Sequence, residues 1–385
     1  MEATRPPMIR AAQPLLPDME EFLPYLREIW ESRMLTNNGA LHARLEQALK
    51  ARLMVERLQL TANATLGLMC ALRALQVSGR VITTPFTFVA TVHALRWCGL
   101  EPVFADIDPD TLNLDPDRAA AAVGPGVTAI LPVHCFGTPC DTTRLGLLAR
   151  HHGLKLIYDA AHAFDVSDAG GSILRHGDAS VVSFHATKVF STSEGGAVVS
   201  ANADTADRVA RCRNFGFTAD IDTDELGLNA KLGELNAALG LAQLPHIDAQ
   251  RRRRQAIDRR YREGLASLEG LSLLPEPANW RGNHAYFPVF VKDGFAITRD
   301  QLHAKLRAAH IDSRRYFYPL VTWHSEYRSL PSASASHLPV ATRVANEVLC
   351  LPMHAGLTDD EQDRVIDAVL SAASHAPPAS RRMPA

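Results

Sequence analysis

The sequence predicts an α/β protein: a large domain with a mostly parallel central sheet, followed by a smaller C-terminal α+β domain. Three observations carry this. Short β-branched runs alternate with helix-length segments through the first two-thirds of the chain. After about residue 230 that alternation gives way to a long helical stretch. At 385 residues the chain also exceeds one ordinary hydrophobic core.

The N-terminal MEATRPPMIRAAQPLLPDMEE has no continuous apolar stretch, and nowhere does an apolar run reach about 18 residues. A cytoplasmic location without membrane contact is therefore expected. LTANATLGLMCALRAL (60–75) runs from a strand-like segment through Asn63 into an apolar-periodic helix. The strand RVITT (80–84) precedes a helix-like VATVHALRWCG, and PVFADI (102–107), TAILPV (128–133), LKLIYD (154–159), SVVSF (180–184) and AVVS (197–200) follow. Such βα alternation implies parallel strands covered on both faces, with ligands at the carboxyl ends.

ELNAALGLAQLPHIDAQRRRRQAIDRRYREGLASL then reads as a helix interrupted near Pro245. It divides the chain into a large domain over 1–245, N-terminal arm included, and a small domain over 246–385. Within the latter, NHAYFPVFV (283–291) reads as a strand and RDQLHAKLRAAH (299–310) as a helix. The Pro/Ser/Ala-rich tail from about residue 375 is expected to be disordered.

Composition excludes several function classes. Apolar content of 46% with 21% charged residues is that of a soluble globular protein. A formal net charge of −2 gives no attraction to nucleic acid or anionic membrane. The basic run Arg251 to Arg254, with Arg259, Arg260 and Arg262, shares a helix with Ile257, Tyr261 and Leu265 and is expected to form its solvated face. Six cysteines without a C-x-x-C pair read as reduced, mostly buried thiols, so neither a metal site nor a disulfide is expected.

One constellation carries chemistry. In Ser183-Phe184-His185-Ala186-Thr187-Lys188 a lysine sits in a polar turn between two apolar runs. Most lysines in such turns are merely solvated; the functional alternative is an amine placed to form a Schiff base. Asp159, ending LKLIYD, is either a helix cap or the partner of a protonated pyridine nitrogen. The helix start at Ala64 and Thr65, with the hydroxyl of Ser183, offers donors to a phosphate, although Thr and Ser more often cap helices. Phe88 could stack on a flat ring or simply fill the core. Their order along successive strand ends makes one coherent cofactor site.

These residues resemble the nucleotide-sugar aminotransferases of the DegT/StrS type, fold-type-I enzymes dependent on pyridoxal 5'-phosphate. The resemblance rests on TPFTFVAT (84–91), VHCFGTPCD (133–141), YDAAHAF (158–164), GDASVVSFHATKVFSTSEGGAVV (177–199) and GLNAKLGELNAALGLAQL (227–244). It extends to LTNNG (35–39), SRRYFYPL (313–320) and VLCLPMHAGLT (348–358), nearly the whole chain. By motif position it implies Lys188 as the Schiff-base and proton-transfer lysine, Asp159 on the pyridine nitrogen, His162 by the 3-oxygen and Phe88 on the ring face. Ala64, Thr65 and Ser183 would hold the phosphate, and Asn229 would reach into the site of a neighbouring subunit in a homodimer with composite sites.

His185, three residues from Lys188, is a further catalytic candidate. Lys231, Arg315, Tyr316 and Tyr318 join it as candidates for the sugar or diphosphate. Three positions depart from the family pattern: Ala64 stands where many members have Gly, Lys231 where Arg is common, and Asp165 where relatives have Gly. The motif wording is most similar to the subgroup that aminates C4 of thymidine-diphosphate 4-keto-6-deoxyglucose with L-glutamate as donor. Alternatives are a 3-keto sugar or keto-cyclitol aminotransferase and a non-catalytic cofactor-binding regulator. The family's sugar 3-dehydratases replace the lysine by histidine, and Lys188 argues against that chemistry.

Overall fold

A computed structural model describes residues 7–218, 222–223, 225–276 and 279–374. The tail from about residue 375 lies outside the described residues. Seven strands form the main sheet: β1 (Leu58–Thr61), β2 (Arg80–Thr83), β3 (Glu101–Phe104), β4 (Val127–Leu131), β5 (Lys155–Asp159), β8 (Ala179–Ser183) and β9 (Gly196–Ser200). A two-residue ladder joins β6 (Ser167–Asp168), β7 (Gly171–Ser172) and β11 (Trp280–Arg281), and the third sheet contains β10 (Leu271–Leu273), β12 (Phe287–Val291) and β13 (Val348–Leu351).

The main sheet runs β1-β9-β8-β5-β4-β2-β3. Its pairs from β8 to β3 are parallel, and β9 alone is reversed, lying antiparallel to both β8 and β1. This is the mostly parallel sheet expected from the βα alternation. Every residue of β1, β8 and β9 is buried, as strands covered on both faces require. One face packs against Leu41, Leu45 and Leu49 of the helix Ala40–Leu53, the other against Leu68, Ala71 and Leu72 of the helix Ala64–Ala74.

A second core surrounds β12 and β13, with Leu302, Leu306, Val365 and Val369 from two flanking helices. The break expected near Pro245 is a 3-10 turn, Leu244–His246, between the helices Glu234–Gln243 and Ile247–Leu265. Ile247 packs in the first core, whereas Ile257, Tyr261 and Leu265 pack in the second, so the later helix connects the two. One residue departs from the expected division. Ile9, in the N-terminal arm, is buried in the second core and pairs with Ile311.

The basic run is not simply a solvated face. Arg254 is buried and donates to the carbonyl of Met353 at 3.1 Å, with burial lowering its pKa to about 10. Arg253 pairs with Asp359 at 2.7 Å and Arg262 with Asp258 at 2.7 Å. The second domain folds back over this helix, which composition alone does not reveal. The cysteines match expectation: all six are free and all but Cys98 are buried.

Asp165 also finds its reason. Its φ is +59°, in the left-handed region that Gly favours and that Asp tolerates better than most residues. The buried carboxylate accepts from Arg52 at 2.8 Å and Arg281 at 3.1 Å, and Arg251 approaches to 4.0 Å. It gathers three cations from the helix Ala40–Leu53, from β11 and from the helix Ile247–Leu265. Asp165→Asn retains the backbone preference and removes the charge. We expect a loss of about 2 kcal/mol in urea unfolding, with a further loss of about 1 kcal/mol for Asp165→Ala, which also strains the backbone.

Candidate active site

The carboxyl ends of β5 and β8 lie side by side and open into a cavity of about 240 Å³. Ala64, Thr65, Phe88, Asp159, His162, Ser183, His185, Lys188 and Tyr316 all line it. Residues separated by more than 250 positions thus meet at one strand edge. A larger hollow of about 320 Å³ shares Tyr286 with this cavity, but its Arg251, Arg262 and Arg281 are already paired with Asp165 and Asp258.

The turn after β8 explains the lysine. Ser183 Oγ accepts from the His185 amide at 3.3 Å, His185 Nδ1 from the Thr187 amide at 3.2 Å, and the His185 carbonyl from the Lys188 amide at 2.9 Å. These short-range bonds close the loop and direct Lys188 into the cavity, where its Nζ donates to Tyr286 Oη at 3.0 Å. Burial lowers the lysine pKa to about 8, opposed by the charge of Asp159. About a fifth of this amine is therefore neutral near physiological pH, where an ordinary lysine is almost wholly charged.

Asp159 is buried, with Oδ2 accepting from Thr91 Oγ1 at 2.7 Å and Oδ1 from the Ala161 amide at 3.0 Å. Thr91 is itself bonded to Thr87 at 2.7 Å. Burial raises the carboxyl pKa, while Thr91, Ala161 and Lys188 pull it back. The aspartate does not cap a following helix; it presents a desolvated acceptor at the floor of the cavity. His162 Nδ1 accepts from the Phe136 amide at 3.1 Å, and burial holds its pKa well below the usual range. The ring is therefore neutral and carries its proton on Nε2. Asn283 fixes this segment by donating to the carbonyls of His162 and Phe164 at 2.8 and 2.9 Å.

Asn63 caps the helix Ala64–Ala74, accepting from the Leu66 amide, so the amides of Ala64 and Thr65 head the helix beyond its internal ladder. Gly196 permits this approach of strand to helix, since a Cβ there would lie 2.8 Å from the Ala64 amide nitrogen. With the hydroxyls of Thr65 and Ser183, which line the same cavity, these amides are hydrogen-bond donors available to an anion. Phe88, before the helix Val89–Trp97, exposes 58% of its surface at the cavity, which suits a stacking face better than a core role. A buried acceptor, a neutral imidazole, free helix-start amides, an aromatic face and a lysine of lowered pKa fit the functional groups of pyridoxal phosphate.

Other candidates lie elsewhere in the single chain. Arg315 pairs with Asp300 at 3.0 Å and stands over Tyr318 at 4.9 Å, with Arg299 over the same ring at 4.5 Å. Lys231 Nζ lies over Phe215 at 4.6 Å, and Asn229 bridges Asn214. None of these four sequence candidates, Arg315, Tyr318, Lys231 and Asn229, lines the cavity. His185 does, at its mouth, where Nε2 stands 3.6 Å from Glu194. Sequence reasoning missed Thr91 and Tyr286. Thr91 carried a signal, standing one helical turn beyond Phe88 in TPFTFVAT. Tyr286, in a segment legible only as a strand, carried none.

The chain is similar throughout its length to known aminotransferases. It is 45% identical to a dTDP-4-amino-4,6-dideoxy-D-glucose transaminase of Shigella dysenteriae over 94% of this chain and 98% of that protein. The enzyme of the same description from Escherichia coli is 43% identical over 91% and 95%. The crystal structure of DesI in the presence of its TDP-sugar product superposes with a TM-score of 0.90 at 39% identity, covering 96% of this chain and 93% of that one. The model of the DegT/DnrJ/EryC1/StrS aminotransferase family matches residues 17–370. With its lysine, carboxylate and free helix-start amides at the strand ends, the chain belongs to the DegT/DnrJ/EryC1/StrS aminotransferase family.

Proposed function

We propose that the protein transfers an amino group from L-glutamate to C4 of dTDP-4-keto-6-deoxy-D-glucose, giving dTDP-4-amino-4,6-dideoxy-D-glucose. The observation that carries this reading is Lys188, a buried amine of lowered pKa in a cavity also lined by Asp159. Similarity to two transaminases of that product, over more than nine-tenths of each chain, supports the substrate. The cofactor is pyridoxal 5'-phosphate, which when bound supplies an electron sink for moving an amino group between two carbonyl carbons.

Each residue has a task. The amides of Ala64 and Thr65 and the hydroxyls of Thr65 and Ser183 bind the phosphate. Asp159, aligned by Thr91, would accept a hydrogen bond from the cofactor's ring nitrogen and favour its protonated form. His162 would donate to the cofactor from Nε2 and Phe88 would stack on its ring, while Lys188, when neutral, takes and returns the substrate proton at Nζ. His185 and Tyr316, at the cavity wall, face the incoming sugar. Asn229, exposed and outside its own cavity, suits a role in the site of a second subunit, with Lys231 beside it. The assembly is then a homodimer with composite sites. Among the described residues no helix is long and apolar enough to cross a membrane, in keeping with work on a soluble sugar nucleotide in the cytoplasm.

The test is a two-step titration of the cofactor-loaded protein. L-Glutamate removes the visible absorbance band with release of 2-oxoglutarate, and the 4-keto sugar restores it. NMR of the product locates the new amine on C4. Amination at C3, or restoration only by a keto-cyclitol, would refute the substrate assignment, and an absorbance indifferent to every amino donor would refute transamination.

A further inference from the structure

Tyr286 belongs to none of the motifs read from the sequence, yet its phenol oxygen is the hydrogen-bond partner of the catalytic amine at 3.0 Å. The residue precedes β12 of the second domain and reaches across 98 positions of chain to Lys188. Its ring is wedged among Phe136 at 5.5 Å, His162 at 4.6 Å and Tyr316 at 6.0 Å. Behind it, Asn283 ties the segment to the loop after β5 and accepts from the Ala285 amide at 3.1 Å. The ring is thus held from two sides, while the lysine has four rotatable bonds and much rotamer freedom to lose.

We propose that Tyr286 is the positioning residue of Lys188: its phenol holds the lysine Nζ in the cavity whenever that amine is free. This rests on Lys188 being the reactive amine of the aminotransferase. A phenol suits the task because the amine must pass between two charge states. The hydroxyl accepts from an ammonium and donates to a neutral amine, so the partner is retained in both. Burial raises the Tyr286 pKa, which keeps the O–H in place. The other polar groups around the amine are Asp159, His162 and Tyr316, and Arg254 lies behind the phenol. None of these shares the hydrogen bond that Nζ makes to Tyr286 at 3.0 Å.

Tyr286→Phe keeps the ring, which stands 5.7 Å from Nζ, and removes one oxygen. In cofactor-free protein, trace acetylation of Lys188 followed across pH by peptide mass spectrometry has a midpoint near 8 in the parent. The variant loses an acceptor that favours the ammonium, and the midpoint falls by about half a unit or more. In the loaded enzyme kcat falls about 10-fold with KM for both substrates little changed. A melting curve first confirms the fold; 3-fluorotyrosine placed at 286 keeps the hydroxyl, weakens it as an acceptor and lowers the midpoint by a smaller amount. A midpoint unmoved in both variants would overturn the proposal. Because the labelling needs neither cofactor nor turnover, its outcome is independent of the substrate assignment.

Discussion

Lys188→Ala is expected to lose at least about 10⁴-fold in kcat and the visible absorbance of covalently held cofactor. The cavity offers no substitute: Lys188 is the only lysine lining it. His185, at the mouth with Nδ1 engaged by Thr187, cannot take over an amine's covalent role. The same variant has an opposite signature in stability. Because folding lowers the lysine pKa from its ordinary value of 10.5 to about 8, the unfolded chain binds more protons between those two values. Stability of the cofactor-free parent therefore rises with pH through that window, and the cost of the buried amine is fully present below it. Lys188→Ala should melt higher than the parent at pH 7, with the gap closing toward pH 10.5. Unchanged absorbance, or a pH-independent gap, would remove Lys188 from the role assigned here.

Asp159→Asn is expected to lower kcat by about 10² to 10³-fold while leaving the fold intact. The amide is nearly isosteric, and its oxygen can still accept from Thr91 or Ala161, which at present serve the two carboxylate oxygens. What disappears is the negative charge beneath the pyridine nitrogen. The stability sign again differs from the activity sign. A carboxyl whose pKa is raised by folding carries its burial cost above that raised value and is relieved of it as pH falls. At neutral pH, cofactor-free Asp159→Asn should therefore be as stable as the parent or slightly more so. Parallel measurement of turnover and melting decides the matter: near-normal turnover would reduce Asp159 to a structural acceptor, and a collapsed melting curve would make the kinetic loss uninformative.

Much of this architecture was legible in the sequence because its signals are local. Strand runs such as LKLIYD and SVVSF are continuous and largely apolar, as central parallel strands must be, and the strands within them end on Asp159 and Ser183, which line the cavity. The cofactor-site candidates from Ala64 to Lys188 followed from that rule and from motif order. What was not legible depends on the return of distant chain. Tyr286 looks like any strand aromatic until β12 is docked, and Arg254 looks solvated until the carbonyl of Met353 covers it. Arg315 and Tyr318 were named for their place in SRRYFYPL, but in this chain Tyr318 lies under Arg299 and Arg315, and Arg315 pairs with Asp300. Asp165 had no local explanation because its three arginines come from separate elements.

The pairing of Ile9 with Ile311 bears on the order of assembly. The Ile9 amide donates to the His310 carbonyl at 2.9 Å, and the Ile9 carbonyl accepts from the Asp312 amide at 2.8 Å, closing a loop of about three hundred residues. So distant a contact adds nothing to an early nucleus and is made only after both ends of the loop exist. During synthesis Ile9 emerges long before residues 310–312 and must wait, without this partner, until the ribosome has released the segment it fastens. The second domain is therefore completed by a segment synthesised well before it, and a ribosome-bound nascent protein stalled before residue 311 holds Ile9 without its partner strand.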